Sequence, residues 1–256
     1  MLLLFTDLDG CLLNSHDYDY RPAVPTLQEL KRRNVPVILA SSKTESELVL
    51  LADELELNPA PLICENGGCI LWRDESLSAN ERTVCGAARP DILNVLSRLK
   101  SVFRFRSFAD LQLDGVIQST GLPEDRAVRA LDRHSTEPLI WDDDAARIDD
   151  FRDALNDADL TLTKGGRFWH VAGHASKGTA MHQVIESYQA VFGVAAQTIA
   201  VGDSPIDQSM LDRADRAVGI PDPDGNRNVS VGSEGIFASI PGAAGWAESV
   251  GRLLDQ

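Results

Sequence analysis

The sequence predicts an α/β fold in which a doubly wound parallel sheet of the Rossmann type carries an inserted α+β cap domain. Strand and helix patterns alternate up to about residue 81, as they do in parallel sheets with helices on both faces. Between residues 82 and 170 the pattern becomes mixed, and the alternation resumes at about residue 171. The 256 residues also exceed the ~150 of a typical single domain. We therefore predict a core domain formed by residues 1–81 and 171–256, with residues 82–170 as the cap.

The elements of the N-terminal part follow from hydrophobic periodicity. An uninterrupted apolar run predicts a buried strand, whereas apolar residues three or four positions apart predict a helix, as at Val24, Leu27 and Leu30. An Asn-Gly-Gly turn between two short apolar runs predicts a hairpin. The predicted elements are strands at 2–6, 35–40, 62–64 and 69–72, and helices at 23–34 and 45–57.

The remaining elements are predicted in the same way. In the cap we expect helices at 90–99, 123–134 and 145–156, and strands at 103–108, 138–141, 160–163 and 167–171. In the rest of the core we expect a helix that opens within 174–180 and runs to about 191, a strand at 198–201 and a last helix at 245–254. Ligands of parallel sheets bind beyond the carboxyl ends of the strands. Residues just after the core strands are therefore the candidates for a functional site.

Two aspartates follow the first predicted strand, within Phe5-Thr6-Asp7-Leu8-Asp9-Gly10. Carboxylates at this spacing can supply a nucleophile and a proton carrier to one reacting group. A calcium loop starts with a similar pattern, but it needs an acidic residue at its twelfth position, where this chain has Tyr18. A turn with two solvated acids is the remaining alternative, and three later segments favour catalysis over it.

The second strand ends in hydroxyl side chains and a lysine, before an acidic helix. Unpaired backbone N–H groups and the dipole at a helix start favour an anion, so this segment can bind phosphate. The same hydroxyls can also simply cap the helix. The segment is Ser41-Ser42-Lys43-Thr44.

Lys177 stands at the start of another predicted helix, where a positive charge opposes the helix dipole. It therefore needs an anionic partner, unless it is an ordinary surface lysine. Asp203 and Asp207 follow the strand that ends at Gly202. Carboxylates beside a bound phosphate suit Mg²⁺, although a capped turn would contain the same residues.

In this order, the four segments resemble the motifs of the haloacid dehalogenase-like superfamily of aspartate-nucleophile phosphatases. The chain departs from the usual pattern at Cys11, where a threonine is common, and at Ile206, where an asparagine is common; Cys11 leaves a hydroxyl missing beside Asp7.

A narrower resemblance, over nearly the whole chain, is to the mannosyl-3-phosphoglycerate phosphatase family. It is carried by Ser41-Ser42-Lys43-Thr44, Glu65-Asn66-Gly67-Gly68, Glu137-Pro138 with Trp141, Thr163-Lys164-Gly165-Gly166-Arg167-Phe168-Trp169-His170, Gly202-Asp203-Ser204-Pro205-Ile206-Asp207 and Gly245-Trp246.

The resemblance implies a covalent phosphatase mechanism. Asp7 would attack phosphorus and form an aspartyl phosphate, while Asp9 would protonate the leaving group and later activate water. Ser41 and Lys177 would bind the phosphoryl oxygens. The implied metal is Mg²⁺, and its site would comprise Asp7, the backbone carbonyl of Asp9, Asp203, and Asp207, which would orient the other ligands.

The resemblance also implies a glycosyl-3-phosphoglycerate substrate, mannosyl or glucosyl, and a glycosylglycerate compatible solute as product. Arg167 would contact the glycerate carboxylate, and Gly165 and Gly166 would let backbone N–H groups approach it, unless these glycines only form a hairpin turn. Lys43 and Thr44 are second candidates for the same anion. The cap would close over the site as a lid. The predicted substrate-binding residues are Ser42, Lys43, Thr44, Asn66, Gly165, Gly166 and Arg167.

Two other functions stay open from the sequence. Another sugar-phosphate phosphatase of the same superfamily, acting on sucrose or trehalose phosphate, would share the core and differ in its cap contacts. A non-catalytic phosphorylation module also uses strand-end aspartate and lysine residues, but it is normally much shorter than this chain. Continuous phosphate release distinguishes an enzyme from such a module.

Composition argues against several further classes. A net charge of −15 and a pI near 4.7 argue against a nucleic-acid partner, because nucleic-acid phosphates need a basic face. No apolar run approaches the ~20 residues of a membrane span, and the start of the chain lacks the basic region of a signal peptide. Four cysteines without disulfide or zinc spacing predict a cytoplasmic location. The oligomeric state stays open.

Overall fold

The computed structural model describes residues 1–165 and 167–255. Its strands are β1 (Leu2–Thr6), β2 (Val37–Leu39), β3 (Leu62–Cys64), β4 (Cys69–Leu71), β5 (Arg82–Val84), β6 (Phe105–Ser107), β7 (Thr136–Trp141), β8 (Leu160–Lys164), β9 (Trp169–Gly173), β10 (Gln197–Gly202), β11 (Arg216–Gly219) and β12 (Ile236–Phe237). Its helices are α1 (Val24–Arg32), α2 (Glu45–Glu54), α3 (Arg89–Leu99), α4 (Phe108–Thr120), α5 (Glu124–Leu131), α6 (Ile148–Asn156), α7 (Lys177–Phe192), α8 (Gln208–Leu211) and α9 (Gly242–Leu254). Short 3₁₀ turns occur at Arg21–Ala23, Glu65–Gly67, Ala145–Arg147 and Pro205–Asp207.

The core is a parallel sheet with helices on both faces. Five strands lie in the order β12-β11-β10-β1-β2, and the pairings between them are parallel. A parallel bridge between Ala40 and Ile63 joins β2 to β3, from which β4 and β5 continue as an antiparallel extension. This architecture confirms the predicted α/β fold.

The apolar sequence of β1 explains its central place in the sheet. Leu3, Leu4 and Phe5 are fully buried, because successive side chains of a strand point to opposite faces and helices cover both. Leu4 packs in a cluster with residues of α1, α2 and α9, whereas Leu3 and Phe5 pack in a second cluster with α7 and α8. The two helical layers thereby fix the strand ends that carry the candidate site.

The cap is a four-stranded antiparallel sheet in the order β6-β7-β9-β8. On one face, α3 and α6 pack against an aromatic cluster in which Phe103, Phe105 and Trp141 surround Phe151 at ring-centroid distances of 5.2, 5.1 and 5.1 Å. A smaller cluster around Phe108 joins α4 to α5. The strand residues between the buried ones line a cavity that is shared with the core.

Helix α4 is the largest difference from the sequence prediction, which ended a strand at residue 108 and placed no helix between residues 108 and 123. Gln112 has a left-handed φ of 54° inside this helix, so the chain leaves the regular helical path there. Leu111 and Leu113 consequently both pack into the same cluster, and the apolar residues follow no single 3.6-residue period. Periodicity alone therefore could not detect α4.

Helix α5 ends at Leu131, before the predicted end at residue 134, because the next residues lead into β7 and bond to the core.

The predicted domain boundaries stay a prediction. Strand β5 pairs with the core strand β4, and β9 continues to Gly173 within the cap sheet. In the described ranges, 1–165 and 167–255, we find no helix with the length and apolar content to cross a membrane.

Candidate active site

The candidate site lies where three neighbouring core strands end. The backbone N–H of Asp7 donates to the carbonyl of Val201 at 2.9 Å, which joins the end of β1 to the end of β10. The N–H of Ala40 donates to the carbonyl of Thr6 at 2.8 Å, which brings the end of β2 alongside. Parallel pairing thus gathers Asp7, Ser41 and Asp203, which are distant in sequence, at one edge of the sheet.

Lys177 joins two of the predicted carboxylates in what we call the core ion cluster, formed by Asp7, Lys177 and Asp207. The Lys177 ammonium donates to Asp7 Oδ1 and to Asp207 Oδ1, at 2.6 Å in each case. The lysine is 2% exposed and Asp207 fully buried. The anionic partner that the sequence required for Lys177 is therefore supplied by two carboxylates.

Asp207 also holds the loop that contains Asp203. Its Oδ2 accepts hydrogen bonds from the N–H of Asp203 at 3.1 Å, the N–H of Ser204 at 3.0 Å and the hydroxyl of Ser204 at 2.9 Å. A Cβ on Gly202 would lie 2.4 Å from the Cβ of Asp207, so only glycine fits at the strand end. Asp207 consequently orients this loop while its other oxygen binds Lys177.

The carboxylates of the site outnumber the cation buried with them, and their pKa values reflect this. Burial and the neighbouring carboxylates raise the pKa of Asp7 to about 6, against the opposing effect of Lys177. Burial, together with Asp7 and Asp207, raises the pKa of Asp203 to about 7. Burial also opposes ionisation of Asp207, but Lys177 and the Ser204 hydrogen bonds outweigh it and lower the pKa. The site therefore has an excess of negative charge that a further cation would neutralise.

The geometry of this excess charge fits a small divalent cation. Ligand atoms of Asp7, Cys11 and Asp203 lie within 4.8 Å of one another, among the residues that the structure describes. Burial and Asp7 raise the pKa of Cys11 far above its usual value, so the thiol stays protonated and lies 3.8 Å from Asp203 Oδ1 as a weak donor. The remaining donors are carboxylate oxygens, which are the ligands that Mg²⁺ prefers.

Asp9 lies apart from the core ion cluster and pairs with Lys43. The Lys43 ammonium is 2.7 Å from Asp9 Oδ2 and 3.0 Å from Oδ1, and it also lies 5.5 Å from the centre of the Tyr18 ring. Burial disfavours the lysine charge, but Asp9 outweighs it and raises the pKa of Lys43. The structure thus places the predicted proton carrier and a predicted substrate-binding lysine in direct contact.

The hydroxyls after β2 have different surroundings. Ser41 is buried, and its Oγ accepts from the N–H of Lys43 at 3.3 Å. Ser42 instead lines the cavity between core and cap. Thr44 caps α2 in a capping box with Glu47, and its hydroxyl donates to the carbonyl of Arg129 in the cap at 2.8 Å. Thr44 therefore serves the helix and the contact between the two domains.

Glu65 is a buried residue of this region that sequence reasoning did not assign. Its carboxylate accepts from the N–H of His134 at 2.7 Å, from the N–H of Ser135 at 3.3 Å and from the hydroxyl of Thr136. Its own N–H donates to the carbonyl of Lys43 at 2.9 Å. We call Glu65, Thr44 and the cap residues 129–136 that they contact the core–cap seam. The signal available in the sequence was the place of Glu65 directly before the Asn-Gly-Gly turn, in a segment that carries the family resemblance.

The remaining predicted substrate-binding residues come from the core turn at Asn66 and from the cap hairpin. Asn66 has a left-handed φ of 58° and donates its N–H to the carbonyl of Ser41 at 2.8 Å. With Gly165 and His170 it lines a cavity of about 550 Å³ between core and cap. Arg167 is exposed, and its guanidinium donates to the carbonyl of Thr120 at 2.9 Å. Gly166 lies outside the described residues.

Comparisons with known proteins agree with this arrangement. A family model described as haloacid dehalogenase-like hydrolase matches residues 4–108. The whole chain is 33% identical to the glucosyl-3-phosphoglycerate/mannosyl-3-phosphoglycerate phosphatase of Persephonella marina and covers 98% of that protein.

Solved structures share the fold at lower identity. A haloacid dehalogenase-like hydrolase from Bacteroides thetaiotaomicron is 18% identical with a TM-score of 0.72, and the match covers 98% of each chain. The sucrose-phosphatase of Synechocystis, solved with sucrose and phosphate, is 18% identical with a TM-score of 0.61, over 98% of this chain and 97% of the other. The chain therefore belongs to the haloacid dehalogenase-like hydrolases, within which it is a phosphoric monoester hydrolase that resembles the mannosyl-3-phosphoglycerate phosphatase family.

Proposed function

We propose that the chain is a Mg²⁺-dependent phosphatase that hydrolyses a mannosyl- or glucosyl-3-phosphoglycerate through an aspartyl phosphate and releases the glycosylglycerate compatible solute. The observation that carries the proposal is the core ion cluster, in which a buried lysine holds Asp7 at the end of β1 beside Asp203. The full-length similarity to a phosphatase named for these two substrates supports the choice of substrate. The cytoplasm is the proposed location, in agreement with four free cysteines.

Two carboxylates take part in the reaction of this mechanism, Asp7 as the nucleophile and Asp9 as the group that transfers protons. Asp7 attacks phosphorus in line, the bond from phosphorus to the glycerate oxygen breaks, and Asp9 gives that oxygen a proton. Asp9 then takes a proton from water, which attacks the aspartyl phosphate and releases inorganic phosphate and the free Asp7 carboxylate. Lys177, 2.6 Å from Asp7 Oδ1, keeps that carboxylate ionised and oriented. Ser41 and the N–H groups at the start of α2 bind the phosphoryl oxygens.

The proposed metal residues are Asp7, Asp203 and the backbone carbonyl of Asp9, with Asp207 holding the loop of Asp203. When bound there, Mg²⁺ would neutralise charge on the phosphoryl oxygens and on the carboxylates around it. Because the protein has a net charge of −15, attraction of a phosphorylated sugar depends on this local reversal of sign. The cations nearest to the phosphate would then be Lys177 and the metal.

The substrate-binding residues are also proposals. Ser42, Asn66 and Gly165 line the cavity between core and cap, and Lys43 borders Asp9. Arg167 is the cation that the family resemblance assigns to the glycerate carboxylate, and to bind it the guanidinium would have to give up its contact with the carbonyl of Thr120. The complete proposed set is Ser42, Lys43, Thr44, Asn66, Gly165, Gly166 and Arg167.

A phosphate-release assay across mannosyl- and glucosyl-3-phosphoglycerate, sucrose phosphate and trehalose phosphate tests the proposal. We expect continuous turnover of one or both glycosyl-3-phosphoglycerates with Mg²⁺ and loss of turnover in EDTA. Asp7→Asn should abolish both turnover and covalent labelling, whereas Asp9→Asn should slow the reaction by ~10²-fold or more.

Each part of the proposal has its own contrary outcome. A preference for sucrose or trehalose phosphate would overturn the substrate assignment and leave the mechanism intact. Undiminished turnover in EDTA would overturn the metal. Equal residual activity in the Asp7 and Asp9 variants would mean that neither residue is the nucleophile.

A further inference from the structure

A second cavity, of about 380 Å³, lies between the core and the helical part of the cap. Its core wall comes from the loop that contains Tyr18 and from α2, including Lys43 and Glu47. Its cap wall is formed by Leu122, which follows α4, and by Arg126 and Arg129 of α5. A volume of this size is in the range that binds small organic ligands.

This cavity adjoins the proposed proton donor. Lys43 is part of its wall, and the Lys43 ammonium is bonded to Asp9 at 2.7 Å. A general acid must lie within hydrogen-bond reach of the leaving-group oxygen that it protonates. Lys43 therefore connects Asp9, and a leaving group bound next to it, to this cavity.

The cavity lining carries both signs of charge, since Asp17, Glu47 and Glu54 lie beside Lys43, Arg126 and Arg129, and the cation left for an anionic leaving group is Arg126. Arg126 is exposed, and among residues 1–165 and 167–255 no carboxylate forms an ion pair with its guanidinium within 4.0 Å. Arg129 is already paired with Asp125 at 2.5 Å. The other cavity, beside Asn66 and His170, has no lysine or arginine among its described lining residues. Of these two cavities, as the described residues line them, the one beside Lys43 offers a carboxylate an available guanidinium and the other does not.

The same cavity has the groups that a sugar ring needs. Tyr18 lines this cavity and is 53% exposed, so its aromatic ring is open to solvent there. Glu47 and Glu54 add carboxylate oxygens, which accept hydrogen bonds from hydroxyl groups. An aromatic face with nearby hydrogen-bond acceptors suits a ring that has both C–H and O–H surfaces.

We propose that this cavity is the leaving-group subsite, in which Arg126 binds the carboxylate of the glycerate and Tyr18 packs against the sugar. The inference rests on the proposed function for the identity of the substrate, and it deepens that function by naming two specificity-determining residues. It assigns the carboxylate to Arg126 in the cap helix α5 instead of Arg167 in the β8–β9 hairpin. Neither Tyr18 nor Arg126 belongs to the motifs that the sequence singled out.

Kinetics with three phosphate esters test the subsite. The substrates are mannosyl-3-phosphoglycerate, 3-phosphoglycerate, which lacks the sugar, and p-nitrophenyl phosphate, which lacks both sugar and carboxylate. Arg126→Ala should lower kcat/KM roughly tenfold or more for the first two, mainly through KM, and leave the aryl ester within about twofold. Tyr18→Ala should lower kcat/KM about three- to tenfold for the glycosylated substrate alone, and Tyr18→Phe should restore it.

Arg98→Ala is the matched control, because Arg98 is an exposed cap arginine on α3 away from this cavity. Equal losses on all three esters, no loss in Arg126→Ala, or a selective loss in Arg167→Ala instead would overturn the subsite. If the wild type fails to cleave the glycosylated ester yet cleaves the other two, the proposed function fails. In that case we compare the wild type with Arg126→Ala by the ratio of kcat/KM for 3-phosphoglycerate to kcat/KM for the aryl phosphate. A lower ratio in the variant shows that Arg126 binds a carboxylate, and an unchanged ratio shows that it does not.

Discussion

The core ion cluster and the core–cap seam both contain buried charged side chains, but those side chains bond to different kinds of partner. In the cluster, Lys177 meets two carboxylates, each at 2.6 Å. In the seam, the Glu65 carboxylate meets mainly backbone N–H groups of residues 134 and 135. The nearest cation to Glu65, Arg133, is 3.7 Å away.

This difference determines what each region can do. The cluster joins elements of a single domain, so its charges stay paired whatever the position of the cap. The seam pairs a core side chain with cap backbone, so its bonds form only when the cap is docked. Because an unsatisfied buried carboxylate is costly, Glu65 favours the docked arrangement before any substrate binds. The cap is therefore held by the same turn that presents Asn66 to the cavity.

Removing the cation of the cluster should have the largest effect on stability. Lys177→Met leaves Asp7 and Asp207 buried without a counter-ion, and we expect a loss of about 3–5 kcal/mol of unfolding free energy. Lys43→Met is the matched control. Its partner Asp9 has a side chain that is 39% exposed, so we expect less than about 1 kcal/mol. Urea unfolding measures both values, and similar losses for the two lysines would show that burial does not distinguish these pairs.

Neutralising the seam carboxylate should have an intermediate effect. In Glu65→Gln the amide keeps one acceptor oxygen, so at least one of the N–H groups of His134 and Ser135 loses its partner. We expect a loss of about 1.5–3 kcal/mol and faster amide hydrogen exchange at both residues in the free protein.

Glu137→Gln is the control for the seam variant. Glu137 is fully buried, but its partners, Arg89 and the N–H of Ala109, both belong to the cap. This variant should destabilise the protein without selectively increasing exchange at residues 134 and 135. Unchanged exchange there in Glu65→Gln would remove the distinction between seam and cluster.

The smallest effect is a pH dependence at His170, beside the seam. Burial, with a contribution from Arg133, lowers the pKa of His170 to about 4. The unfolded chain therefore takes up this proton at a higher pH than the folded chain, and stability falls as the pH drops from about 6.5 towards 4. Because the ring is partly exposed, we expect on the order of 1 kcal/mol between pH 7 and pH 5.

Denaturant unfolding at a series of pH values measures this dependence. His170→Asn should reduce the loss of stability at low pH, relative to the wild type. His182→Asn, on the exposed face of α7, is the control. If both variants follow the wild-type curve, protonation of His170 makes no contribution to the acid sensitivity of the fold.

Much of the core was predictable from the sequence because its determinants are local. The apolar run at residues 2–6 is the whole of β1, and the hydroxyl segment before α2 contains the cap of that helix. Parallel strands align their carboxyl ends by geometry. The motifs that follow those strands, from Asp7 to Asp203, therefore had to meet at one edge.

The contacts of the cap were decided only by the tertiary structure. Helix α4 was not predicted because Gln112 interrupts the helical period of its apolar residues. Arg126 and Tyr18 line the same cavity because α5 docks on the core. Lys43 pairs with Asp9, 34 positions away, and Glu65 bonds to residues 69 to 71 positions away. Periodicity and turn chemistry report on the few residues around each position. The sequence alone thus determined which residues end the core strands, while the partner of each buried charge depended on long-range packing that no local pattern encodes.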